Sequence, residues 1–83
     1  MEKYYLITFE NTHGAMNGEE TLKKNKIRSI VLPTPTYITK SCGISLRIFE
    51  EDLDNVKKLI LEEKMKIKNL YLKEGNEYSN IEI

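Results

Sequence analysis

Cys42 is the residue of this chain whose type and position point most directly to chemistry. It is the only cysteine among 83 residues, so no internal disulfide can form. It follows a run that contains Pro33 and Pro35 and stands directly before Gly43, where an apolar stretch begins. A thiolate at the end of such a loop can act as a nucleophile. The sequence therefore predicts a reactive thiol at Cys42, and the alternative is an inert, buried small residue.

Positively charged residues are predicted to lie near this thiol. His13, the only histidine, could serve as a base or stabilise the thiolate, and it follows Thr12 at the predicted start of a helix, where backbone N–H groups favour negative charge. Lys40 and Arg47 add positive charge on either side of the cysteine in the chain. The alternatives are a helix residue without a partner at His13 and a solvated or dimer-contacting side chain at Arg47.

The same residue types argue against a metal or cofactor site. One cysteine and one histidine do not supply the four nitrogen or sulfur ligands of a closed zinc site. The chain has no glycine-rich phosphate loop, nucleophilic-serine signature or metalloprotease motif. We expect no metal, no cofactor, and a carrier or accessory role more than a turnover enzyme.

Composition limits the partners and the compartment. Thirteen basic and 13 acidic residues give a formal net charge of zero, which argues against general binding to nucleic acid or anionic lipid. No apolar run is long enough to span a membrane, and the first residues lack the apolar core of a signal peptide. An unpaired cysteine suits a reducing compartment, so we expect a cytoplasmic protein.

Hydrophobic patterning predicts the elements that position these residues. Alternating or apolar runs predict strands at residues 4–9, 27–32, 44–49 and 67–72, and spacings of three and four predict helices at 13–25 and 53–65. The order βαββαβ predicts an α+β, ferredoxin-like sandwich: a four-stranded antiparallel sheet with both helices on one face. Residues 1–73 form this single domain. The polar tail at 74–83 is expected to fray, with a short edge strand as the alternative.

The predicted topology brings distant residues to one edge of the sheet. The strand at 44–49 lies between two parallel strands, so its start shares an edge with the end of the first strand. Cys42 is therefore expected on the same edge as Thr12 and His13. The uncovered sheet face is a candidate homodimer surface.

Three segments together resemble a known family. These are residues 9–15, which contain Thr12 and His13, the Pro-Thr-Pro run at 33–35, and residues 41–47, Ser-Cys-Gly-Ile-Ser-Leu-Arg. They are similar in order and separation to a family of small bacterial proteins labelled selenium/sulfur (Se/S) carrier-like.

The resemblance covers roughly residues 3–73 and implies a site. It implies that Cys42 accepts sulfur or selenium as a persulfide or perselenide, exchanged with donor and acceptor proteins. The implied supporting residues are those around the cysteine and at the helix start: Thr12, His13, Lys40, Ser41, Gly43 and Arg47. Many members carry a basic residue after the second proline, where this chain has Thr36, so Lys40 is the nearest substitute.

Three functions remain open at this point. The first is a thiol-based sulfur or selenium carrier. The second is a non-enzymatic dimeric binding or regulatory module, whose partner binding would survive loss of the thiol. The third is a redox sensor that needs only an oxidisable Cys42.

Overall fold

The computed structural model describes residues 3–34 and 43–81 and contains two helices and one five-stranded sheet within those ranges. In chain order the elements are β1 (Lys3–Thr8), α1 (Thr12–Lys24), β2 (Ser29–Pro33), β3 (Ile44–Ile48), a 3₁₀ turn (Glu50–Asp52), α2 (Leu53–Leu61), β4 (Asn69–Glu74) and β5 (Glu77–Ile81). The α+β class is confirmed.

The sheet has the order β2-β3-β1-β4-β5, and every neighbouring pair is antiparallel. β3 lies between β1 and β2, as the sequence predicted. The predicted count of four strands is wrong, because residues expected to fray form β5 along the edge of β4.

A tight hairpin joins β4 to β5. Glu74 pairs with Glu77, so the loop is the two residues Gly75 and Asn76, and Gly75 has φ of 60°. Glycine with positive φ at the first loop position is what a type II′ hairpin turn requires. The Gly-Asn pair between Tyr71 and Tyr78 was the available sequence signal for this hairpin.

Both helices pack into one apolar cluster on the same face of the sheet. Ala15 and Leu22 of α1 and Val56 and Leu59 of α2 belong to the cluster that the strands complete. The buried members from outside the helices are Tyr5, Ile7, Phe9, Ile27, Leu46, Ile48, Met65 and Leu70. The alternating residues of β1 and β3 in this set show which side of each strand faces the helices.

Gly18 lets α1 lie directly against Phe9. A Cβ atom at Gly18 would stand 2.6 and 2.7 Å from Cε2 and Cζ of the Phe9 ring, and 3.6 Å from Sδ of Met65. Phe9 is fully buried, so its ring cannot move aside. The glycine lowers the helix propensity and permits this packing.

Both helices end in the same hydrogen-bonded turn. After α1, the N–H groups of Lys26 and Ile27 donate to the carbonyls of Lys23 and Leu22 at 3.0 and 2.9 Å, and Lys26 has φ of 60°. This is the Schellman arrangement, which usually places glycine at the left-handed residue. It ends α1 one residue before its predicted end and keeps Ile27 out of β2.

The end of α2 repeats this arrangement. The N–H groups of Glu63 and Lys64 donate to the carbonyls of Ile60 and Leu59 at 3.1 and 2.9 Å, and Glu63 has φ of 58°. The helix therefore ends at Leu61, four residues before its predicted end. Met65 returns to the core from the connection that follows.

Candidate functional site

The base of the β2–β3 hairpin is the described part of the structure next to Cys42 in the chain. Pro33 pairs with Ile44, and the N–H of Thr34 donates to the carbonyl of Gly43 at 3.0 Å. The hydroxyl groups of Thr34 and Ser45 share a buried hydrogen bond. We call Thr34, Gly43 and Ser45 the hairpin base. It holds the two ends of the intervening segment together.

Three of the predicted site residues, Lys40, Ser41 and Cys42, lie outside the described residues. The chain resumes at Gly43, which is exposed. Among residues 3–34 and 43–81, no heavy atom beyond the chain neighbours of Gly43 would lie within 4 Å of a Cβ atom at this position. The described residues therefore leave space for a side chain there.

The start of α1 lies at the same end of the sheet as the hairpin base. Ile7 of β1 pairs with Leu46 of β3, so the end of β1 lies beside the start of β3. Asn11 caps the helix, because its Oδ1 accepts a hydrogen bond of 2.8 Å from the N–H of Gly14. Thr12 is the first residue of the helix and not its cap.

Thr12 and His13 are exposed in the first turn of α1. His13 precedes Ala15 by two residues, which is about 200° around the helix axis. Because Ala15 faces the core, the histidine side chain lies on the outer side of the helix. There it lines a surface depression with Met16, Asn17, Glu19, Glu20 and Lys23.

Arg47 lies away from the hairpin base. It is on the sheet face without helices, where it pairs with Leu6 and Ile30. Its guanidinium carbon is 4.3 Å from the centre of the Tyr4 ring and 5.2 Å from that of Phe49. Arg47 lies four positions after Gly43 in the chain, which is roughly 13 Å along β3. The structure does not bring Arg47 and His13 together.

Sequence reasoning missed a second cluster on this face. Arg28 lies 5.2 Å from the Phe49 ring centre, and Lys73 lies 5.3 and 5.8 Å from those of Tyr4 and Tyr78. With Arg47, these contacts form a continuous series in which cations and rings alternate. In order across the sheet it reads Arg28, Phe49, Arg47, Tyr4, Lys73 and Tyr78. We call these six residues the aromatic–cation row.

Glu50, which directly follows Phe49 in the chain, has its own partner. Its carboxylate lies 3.3 Å from the ammonium group of Lys3. A hydrogen bond to Glu50, and then its charge, raise the pKa of Lys3 above its ordinary value. The alternation of side chains along each strand indicated which residues share a face. Which of these residues lie side by side in the row could be seen only from the register between the strands.

Within residues 3–34 and 43–81, the structure contains neither a cluster of metal ligands nor a helix that could span a membrane. No three His, Cys, Asp or Glu side chains converge there to hold a metal ion. Neither described helix is long and apolar enough to cross a membrane.

The fold and site define a small α+β domain whose single cysteine directly precedes an ordered hairpin base. A family model described as "Putative Se/S carrier protein-like" matches residues 4–72. The chain belongs to this family, as its sequence motifs predicted. Searches of curated proteins and of solved structures returned no match.

Proposed function

We propose that this protein carries sulfur or selenium on Cys42 between a donor and an acceptor protein. The observation that carries the proposal is the family match, which spans residues 4–72 and therefore includes the only cysteine of the chain. Sulfur and selenium carriers need a nucleophilic thiol, and Cys42 is the one candidate in the sequence.

The proposed reaction is a transfer between two sulfur atoms. The Cys42 thiolate attacks the terminal sulfur of a donor persulfide, a new S–S bond forms on Cys42, and the donor cysteine leaves as its thiolate. With selenium, the attacked atom is the terminal selenium of a donor S–Se group. Transfer to the acceptor repeats the exchange and regenerates the Cys42 thiolate, so no external oxidant or reductant is needed.

The hairpin base supports this role by anchoring the cysteine-bearing segment. Hydrogen bonds from Thr34 to Gly43 and Ser45 join both of its flanks to the sheet. We infer that the order β2-β3-β1-β4 is a ferredoxin-like arrangement and that β5 is an added edge strand. Such a scaffold would present the segment while the core stays intact.

We assign the remaining candidate residues to two groups. Thr12, His13, Lys40, Ser41 and Gly43 are proposed to form the surroundings of Cys42, with His13 as base or thiolate stabiliser. Arg47, held on the Tyr4 ring, is assigned to the other end of the sheet. A free thiol of this kind needs a reducing compartment, so we place the protein in the cytoplasm.

Loading by an enzymatic donor tests the proposal. The protein is incubated with a cysteine desulfurase and cysteine, then measured by intact mass spectrometry before and after reduction. We expect one added sulfur per chain that a reductant removes, and none in Cys42→Ser. The same experiment with selenocysteine in place of cysteine, and with a lyase that accepts it, tests whether Cys42 also accepts selenium. No adduct in either experiment, or an equal adduct in Cys42→Ser, contradicts the carrier function.

The pH dependence of Cys42 alkylation tests the surroundings of the thiol. If His13 stabilises the thiolate, His13→Ala shifts the alkylation midpoint to higher pH. Lys23→Ala, on the outer face of the same helix, is the matched control. Identical alkylation midpoints in the wild type and His13→Ala would show that His13 does not stabilise the thiolate.

A further inference from the structure

The two faces of the sheet carry different charge. Register partners in an antiparallel pair point to the same side, so the strand residues of the helix-free face can be assigned from the pairings. They are Ile30 and Leu32 of β2, Ser45 and Arg47 of β3, Tyr4, Leu6 and Thr8 of β1, Asn69, Tyr71 and Lys73 of β4, and Tyr78 and Asn80 of β5. None of these side chains is a carboxylate, although the chain has 13 acidic residues.

The zero net charge of the chain therefore averages two unlike surfaces. The prediction of no nucleic-acid binding rested on that average. The helix-free face has two strand cations, Arg47 and Lys73, and the exposed Arg28 adds a third immediately before β2. Local charge of one sign steers and holds a charged ligand even on a neutral protein.

The aromatic–cation row concentrates this charge beside aromatic rings. Tyr4 pairs with Lys73, and Lys73 pairs with Tyr78, so these three side chains lie side by side on adjacent strands. Tyr4, Phe49 and Tyr78 are half-buried, which leaves part of each ring accessible. A cation on a ring keeps its charge. The ammonium group of Lys73 also donates to the carbonyl of Gly75 at 2.6 Å. The row therefore offers ring surface and positive charge together.

We propose that the aromatic–cation row binds single-stranded RNA. Aromatic rings stack on unpaired bases, and neighbouring cations contact the phosphates; this combination is the general basis of single-strand binding. The row crosses five strands, about 19 Å at the usual strand spacing of about 4.8 Å. That length suits an extended polyanion better than one small anion.

Two observations favour RNA over other occupants. A second copy of the same face would bring like charges together, which disfavours a dimer through the row. The amide of Asn80 lies on the same face two positions after Tyr78, and its Nδ2 donates to Oδ1 of Asn69 at 3.2 Å. Amide groups can donate to and accept from a ribose 2′-hydroxyl, which distinguishes RNA from DNA.

Fluorescence anisotropy with labelled oligouridylate of about 12 nucleotides tests the proposal, since single-strand sites span roughly 4–16 nucleotides. We expect saturable binding whose affinity falls roughly 20-fold between about 50 and 200 mM salt, as three phosphate contacts imply. Tyr4→Leu removes the central ring and is expected to weaken RNA binding about tenfold. Tyr4→Phe keeps the ring and is expected to bind RNA as the wild type does. Circular dichroism confirms that each variant is folded.

Two substitutions that each remove one positive charge complete the experiment. Arg28→Gln is expected to weaken binding several-fold and to reduce the salt dependence by about one phosphate contact. Lys23→Gln removes the same charge from the outer side of α1 and should change nothing. The proposal does not depend on Cys42, so Cys42→Ser should bind RNA as the wild type does.

Four outcomes would overturn the proposal. They are no binding of oligouridylate at low salt, equal weakening by Arg28→Gln and Lys23→Gln, and equal affinity for DNA of matching sequence. The fourth is displacement of the RNA by polyglutamate at lower concentration than by unlabelled RNA. That last result would assign the row to an acidic protein surface.

Discussion

The two ends of the sheet differ in the kind of interaction that organises them. At one end, the hairpin base uses backbone groups and two buried hydroxyls, those of Thr34 and Ser45. Toward the other end, the aromatic–cation row uses rings and charges that remain partly accessible. The first arrangement anchors a segment of chain, whereas the second presents a surface.

The position of Arg47 shows why this difference matters. Arg47 is five residues after Cys42 in the chain, and proximity in sequence suggested that its charge would serve the thiol. Strand geometry carries it along β3 and onto the Tyr4 ring. The cation five residues after Cys42 is therefore part of the helix-free face of the sheet.

The largest expected effects are on the functions proposed for the two ends of the sheet, and each substitution should change only one of them. Cys42→Ser should abolish persulfide loading and leave RNA affinity unchanged, and Tyr4→Leu should weaken RNA binding and leave loading unchanged. The measurements are intact mass and anisotropy on the same preparations. If either substitution changed both readouts, the two ends would not be independent.

The next effect concerns the core beneath both ends. Gly18→Ala places a Cβ atom against the buried Phe9 ring, and overpacking typically costs about 1–3 kcal/mol, partly offset by about 1 kcal/mol of helix propensity. We expect a net loss of up to about 2 kcal/mol in the free energy of unfolding, measured in urea.

Gly14→Ala is the matched control in the same helix. Its Cβ atom would lie 3.5 Å from Oδ1 of Asn11 and 3.8 Å from Cβ of Phe9, which is ordinary contact. We expect no loss and up to about 1 kcal/mol of gain. Equal destabilisation by both substitutions would contradict the close packing at Gly18.

A smaller effect is confined to the hairpin base. Thr34→Val leaves the Ser45 hydroxyl without this buried partner and should cost about 1–2 kcal/mol in unfolding free energy, as should Ser45→Ala for the Thr34 hydroxyl. The double variant should cost about 1 kcal/mol less than the sum, because the shared bond is lost only once. Strict additivity would show that the hydroxyls do not interact.

Stability can also be raised away from both ends. Lys26 and Glu63 hold left-handed φ angles of 60° and 58°, which side chains other than glycine adopt at a cost. Lys26→Gly and Glu63→Gly should each raise the unfolding free energy by about 0.5–1 kcal/mol. Lys24→Gly, inside α1, should lower it by about 1 kcal/mol. Destabilisation by both left-handed substitutions would contradict the helix ends described.

The smallest effect is a pH dependence beside the row. Because Glu50 raises the pKa of Lys3, the contribution of this pair is fully present below the ordinary lysine pKa. It is lost as pH rises through the raised value. The stability difference between wild type and Lys3→Gln should therefore stay constant up to about pH 10 and shrink between about pH 10 and pH 12. A difference that stays constant over this range would show that the ion pair does not contribute.

Much of the fold could be predicted from local patterns. Apolar alternation located β1, β3 and β4, and the apolar spacing of α2 located that helix, because burying one face imposes its period on the sequence. Helix ends were less predictable, since Lys26 and Glu63 occupy positions where glycine would have been the signal. β5 was only the alternative to a frayed tail, because a polar edge strand contributes little to the core.

The sequence by itself determined the single thiol, the family motifs around it and the two-layer α+β architecture. These depend on residue identity and on periods of two and 3.6, which can be read without long-range contacts. Tertiary structure alone decided that His13 lies on the outer side of α1 and that Arg47 lies on the Tyr4 ring. It also assembled the aromatic–cation row from β1, β3, β4, β5 and the residues flanking β2 and β3, because register between strands depends on pairing across the whole sheet.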